Sequence, residues 1–67
     1  MYNMSMVELQ TKFLQIYANL PLSQRNEIVI VVDSEALTWH AVNIEVQNNT
    51  PKSAEILQKL VNLGIIK

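Results

Sequence analysis

The chain has 67 residues, a net charge of −1, no cysteine and one histidine. That excludes disulfides, thiolate metal sites and a His-rich metal site within these residues, and it leaves one domain near the lower size limit for unaided folding. Hydrophobic residues make up 49% and charged residues 16%, against a usual charged share of about 25%, so the surface is either rich in neutral polar groups or partly set aside for an interface.

Lys12, Arg25, Lys52, Lys59 and Lys67 are scattered along the sequence. Electrostatic binding of nucleic acid needs several phosphate contacts, and this dispersion argues against it. No apolar run approaches the roughly 20 residues of a membrane span. The first residues lack a basic segment followed by an apolar core, so no signal peptide is expected and the chain reads as soluble and cytoplasmic.

Met1 to Met4 are expected to fray. Ser5 and Glu8 have the spacing of a capping box, with Met4 and Leu9 at the positions of a hydrophobic staple. Met6, Leu9, Phe13, Ile16, Tyr17 and Leu20 then recur at three- and four-residue steps, which predicts an amphipathic helix. Pro21 ends it, since the residue before a proline is pushed towards extended geometry. Pro21 to Asn26 reads as a polar connection with room for one helical turn and with Leu22 packing inward.

Glu27-Ile28-Val29-Ile30-Val31-Val32-Asp33 is the stretch on which the other elements depend. Its five consecutive branched aliphatics favour a strand, and the lack of polar alternation predicts cover on both faces. Asp33-Ser34-Glu35 is a natural reversal, and Ala36 to Thr38 can pair back as a hairpin.

Residues 39–48 admit two readings. With period two, Val42, Ile44 and Val46 share one face of a strand. With period 3.6, Trp39, Val42 and Val46 share one face of a helix capped by Thr38. Local propensity leans to the strand.

Thr50 and Pro51 suit the cap and first position of a second helix running to about Leu63. Ala54, Ile56, Leu57, Leu60, Val61 and Leu63 form its expected buried side. Gly64 follows as a left-handed terminator, with Ile65 against Leu60. Ile65 and Ile66 can add a short edge strand.

Candidate chemistry is sparse. His40 is the one side chain that titrates near neutrality and the candidate general base, with Asp33 or Glu45 as its carboxylate partner; the plainer reading is a surface histidine. Ser34, His40 and Asp33 hold the letters of a triad without a Gly-rich elbow or oxyanion donors. Glu27, Asp33, Glu35 and Glu45 offer oxygen ligands for a hard cation, though solvated strand ends account for them. Trp39 is either core or an interface anchor. If residues 39–48 are helical, a helix-turn-helix becomes available, presenting Lys52, Ser53, Glu55, Gln58 and Lys59. The sole glycine is a helix terminator, so there is no phosphate loop.

The combination Val31-Val32-Asp33, Thr38-Trp39, Glu45-Val46, Asn48-Asn49-Thr50, Ile56-Leu57 and Leu63-Gly64-Ile65-Ile66 resembles small uncharacterised archaeal proteins over the C-terminal two-thirds of the chain. In similar sequences a Thr/Ser-Trp pair looks like a helix start. The resemblance implies no activity, cofactor or site residue.

The expectation is therefore a single α+β domain over 1–67, with an N-terminal helix, a β-hairpin, a C-terminal helix, and residues 39–48 as strand or middle helix. A hairpin is marginal alone and needs helical cover. The uncovered face of the Ile28 to Val32 strand calls for a second copy, most simply in a symmetric dimer. The expected role is a non-enzymatic interaction module, a homodimer binding a protein partner without a cofactor, with Ile28, Ile30, Val32 and Trp39 at the interface. The alternatives are a DNA-associated regulator using the C-terminal helix and an enzyme with His40 as base.

Overall fold

The computed structural model describes residues 5–67. The expected fraying of Met1 to Met4 and the staple between Met4 and Leu9 lie outside the described residues. The chain forms α1 (Met6–Ala18), a 3-10 turn (Leu22–Asn26), β1 (Ile28–Val32), β2 (Glu35–Thr38), α2 (Trp39–Gln47) and α3 (Pro51–Asn62). This is the α+β class, three helices on a two-stranded antiparallel sheet.

The first helix begins where its capping box places it. Ser5 Oγ accepts the Glu8 amide at 3.2 Å, and Glu8 Oε1 accepts the Ser5 amide at 3.2 Å, which satisfies two of the amides a helix start leaves open. Leu9 and Phe13 bury fully, and Ile16 and Tyr17 pack partly against the core. Leu22 does not turn inward. It is 76% exposed, because the 3-10 turn after Pro21 rotates it away from the core.

The hairpin turns on Asp33 and Ser34, at φ 52° and 67°. Two consecutive left-handed residues define the turn whose twist matches a hairpin. Val32 pairs with Glu35, Val31 with Ala36 and Ile30 with Leu37, and a bulge falls between Ile28 and Ile30. Ile30, Val32 and Leu37 face inward to one core with Phe13, Val42, Val46, Ile56, Leu57, Leu60 and Ile66. The described residues of the chain cover one face of β1 and leave the other open. Ile28 and Val31 are 62% and 57% exposed. The three described helices pack on the inward face of the hairpin, so among the described residues the five aliphatics are covered on one side. The bulge adds a residue and turns Ile28 out of phase with Ile30 and Val32.

Residues 39–47 are helical, which corrects the lean to strand. Thr38 Oγ1 accepts the Ala41 amide at 3.0 Å, so the helix starts directly at the end of β2. Val42 and Val46 are buried on its inner side and Ile44 is exposed; a strand would have put all three on one face. The Trp39 amide donates to Glu27 O at 3.1 Å, carrying the hairpin ladder into the first residue of α2.

The α2–α3 junction is held through Thr50. Its Oγ1 accepts the Ser53 amide at 3.1 Å and donates to Glu45 Oε1 at 2.6 Å, and Ser53 Oγ donates to Thr50 O at 2.6 Å. Ser53 is buried, whereas Ala54 and Leu63, expected inward, are exposed. The inward stripe of α3 is therefore Ser53, Ile56, Leu57 and Leu60. Beyond it Gly64 sits at φ 79°. Its amide donates to Val61 O at 2.9 Å and the Ile65 amide to Leu60 O at 2.9 Å, the paired bonds of a Schellman ending. No strand follows; Ile66 instead turns into the core and is fully buried.

Candidate interaction surface at the open edge of β1

Among the described residues the sheet has two strands, so one edge of β1 carries backbone groups with no described strand beside them. The turn fixes which groups these are. In a two-residue hairpin the residues flanking the turn exchange hydrogen bonds, and the next pair along does not. Val32 and Glu35 flank this turn, so the N–H and C=O of Val31 point away from β2 to the open edge.

Beside that edge lies a groove of about 470 Å³, walled by Ile28 to Val31 on one side and by Lys59, Asn62 and Leu63 of α3 on the other. Its walls are almost wholly apolar. Leu63 is 64% exposed, held out of the core because it is the C-cap residue, one step past the inward stripe of α3. Ile28, Val31 and Leu63 thus form an outward aliphatic surface around an open strand edge. Lys59 borders it, and among the described residues Lys59 has no ion-pair partner, the one salt bridge being Lys52 to Glu35.

The residues expected at an interface separate. Ile28 lies on this surface. Ile30 and Val32 belong to the chain's own core, the result of the bulge and the one-sided helical cover. Trp39 is half-buried and stacks on Phe13 with ring centroids 6.0 Å apart, so its indole is occupied within the chain. Val31 and Leu63 were missed. β-branched residues on both faces mask the alternation that exposes Val31, and Leu63 continues the apolar stripe of α3 by residue type although it lies one residue past the inward face.

His40 is exposed. Its Nδ1 lies 3.3 Å from the Tyr17 hydroxyl. Glu45 is engaged by Thr50, and neither Asp33 nor Glu45 hydrogen-bonds the imidazole among the described residues. Arg25 stands over the Tyr17 ring at 4.5 Å and donates to Tyr17 O at 3.2 Å, near the end of α1 where carbonyls lack helical partners. That small cluster ties α1 to the 3-10 turn. Among the described residues, no three His, Asp or Glu side chains gather as metal ligands.

On α3, Lys52 is hydrogen-bonded to Glu35. That bond holds the Lys52 ammonium above its ordinary pKa; desolvation opposes the shift, and the charges of Glu35, Glu45 and Asp33 add to it. A second groove, of about 340 Å³, lies between α1 and the tail, lined by Lys12, Gln15, Ile16, Asn19, Ile65 and Lys67. Lys12 Nζ donates to Lys67 O at 2.6 Å across it. No described helix is long and apolar enough to cross a membrane.

Comparison with known proteins finds no matching family, no similar curated protein and no matching solved structure.

Proposed function

We propose that the chain is a small non-enzymatic interaction module whose working surface is the open edge of β1, and that it accepts an extended segment of protein as an added strand. The observation that carries this reading is the placement of Val31. Its backbone groups face an edge without a strand among the described residues, and its side chain is more than half exposed between Ile28 and the apolar groove. Strand addition draws affinity from main-chain hydrogen bonds and specificity from side-chain pockets beside the edge, and the groove beneath Leu63 is such a pocket.

The experiment is a titration of isotope-labelled chain with an extended peptide of alternating valine and threonine, followed by NMR. Shifts confined to β1, Asn62 and Leu63 are expected. Val31→Pro removes the outward amide but no bond of the β1–β2 ladder, and should abolish the shifts while leaving the fold intact. Shifts elsewhere, or none at any peptide concentration, would refute the reading.

A DNA-associated regulator is the second reading, because α2 and α3 have the helix–turn–helix order it needs. Its charges are thin: Lys52 is engaged by Glu35, and Lys59 shares its face of α3 with Glu55. Retention of duplex DNA that falls steeply with added salt would favour it.

A further inference from the structure

We infer that the strand received at the β1 edge is β1 of a second copy, paired antiparallel about a twofold axis at Val31, so that two hairpins make one four-stranded sheet. This rests on the reading of β1 as a strand-accepting edge and names its occupant.

Three observations set the occupant and the register. First, the edge-facing groups of Val31 are one donor and one acceptor on the same residue. A twofold axis at Val31 lets each copy's Val31 N–H donate to the other's Val31 C=O, and brings the two exposed isopropyl groups side by side. Second, the charges choose between registers. An axis at Ile30 would bring Glu27, just before β1, to the strand end where the second copy's Asp33 begins its turn, twice, and like charges brought together across a strand pair destabilise it. An axis at Val31 moves each Asp33 opposite Val29 instead. Third, Val29 and Lys59 line the same groove. In the Val31 register the second copy's Asp33 therefore arrives at the wall of the groove that faces Lys59, which has no ion-pair partner within its own chain among the described residues. The symmetry supplies this complement twice. A peptide without a carboxylate two residues beyond its central apolar position would leave Lys59 unmatched.

The bulge between Ile28 and Ile30 shortens the regular edge, and three aliphatic side chains from each copy make a small contact. The dimer accordingly falls among the weaker interfaces, below about 1,200 Å² in total, and its population follows protein concentration.

The chain has no cysteine, so single cysteines report the pairing directly. Directly opposed, hydrogen-bonded strand residues lie about 5.5 Å apart at Cα, within the range a disulfide spans. Val31→Cys should form a disulfide-linked dimer under mild oxidation much faster than Val7→Cys, a still more exposed position on α1. Sedimentation of the unaltered chain should show the 7.7 kDa monomer passing to twice that mass as protein rises towards millimolar. Lys59→Glu should weaken the dimer by about tenfold, and Asp33→Lys added to Lys59→Glu should restore it.

A chain that sediments as monomer throughout, with Val31→Cys no faster than Val7→Cys, would overturn the inference. If that monomer still takes up the valine–threonine peptide at β1, the edge accepts strands from another protein; if it does not, the reading of the edge falls as well. A dimer that cross-links through Val7→Cys and not Val31→Cys would also overturn it, since the contact would then lie on α1.

Discussion

The rings of Phe13 and Trp39 stack with centroids 6.0 Å apart and planes inclined by 22°, which joins the middle of α1 to the first residue of α2. Phe13 is fully buried and Trp39 half-buried. Truncating a buried phenylalanine removes apolar contact and leaves a cavity the surroundings fill only partly. Phe13→Ala should therefore cost about 3–5 kcal/mol, a large part of the stability of a domain this small. Urea unfolding followed by Trp39 fluorescence would measure it directly; a loss below about 1 kcal/mol would mean the stack is peripheral.

Thr38 ends β2 and caps α2 with a single side chain. Thr38→Ala should lower stability by about 1 kcal/mol, and Thr38→Ser should recover most of it, because the hydroxyl alone accepts the Ala41 amide. Chemical denaturation of the three chains is the check. Equal stability of the alanine and serine variants would show that the cap contributes nothing.

That cap also explains what could be read in advance. Ser5, Thr50, Pro51 and Gly64 announce helix ends by local chemistry, and α1, α3 and the Schellman ending followed from them. The hairpin followed from Asp33-Ser34 between apolar runs. Residues 39–48 did not resolve, because Val42, Ile44 and Val46 fit both periods and β-branched residues favour strand. The Thr38 cap, the Glu27–Trp39 hydrogen bond and the core on one side of α2 outweigh that propensity. The exposure of Val31 was illegible for another reason. Branched aliphatics on alternate faces look identical whether one face or two are covered, and only the number of helical layers decides.

Ser34 occupies the left-handed region at φ 67°, where a Cβ is disfavoured and glycine is not. Relief of that conformation outweighs the extra freedom glycine gains when unfolded, so Ser34→Gly should raise stability by about 0.5–1 kcal/mol. Ser34→Val should lower it, since β-branched residues tolerate positive φ least. Thermal unfolding separates the two, and a glycine variant that melts lower would count against the turn geometry.

Gly64 tests the same physics without a steric term. A Cβ there would meet nothing within 4 Å, so Gly64→Ala carries only the backbone cost of the left-handed region, about 1–2 kcal/mol. Calorimetry on the variant would give the value. A larger loss would indicate that the tail, with buried Ile66, had been displaced too.

Lys52 connects α3 to Glu35 at the end of the hairpin. Its pKa is raised in the folded chain, so its stabilising contribution is fully present below the ordinary lysine value of 10.5 and is lost as pH rises through the higher folded value. Glu35→Gln should bring the Lys52 titration back towards its ordinary value, and should leave stability at neutral pH almost unchanged because the pair is solvent-exposed. NMR titration of the Lys52 side chain reads this; an unaltered pKa in the variant would show that Glu35 is not the cause.

Ile66 fills a core that already holds Phe13 and Ile56. Phe13, near one end of the sequence, therefore has no complete binding surface until residue 66 has been synthesised. While the chain is still on the ribosome, α1 and the hairpin must wait with bare aliphatic faces, and the nascent protein is most vulnerable to aggregation in the interval before α3 and the residues after it emerge.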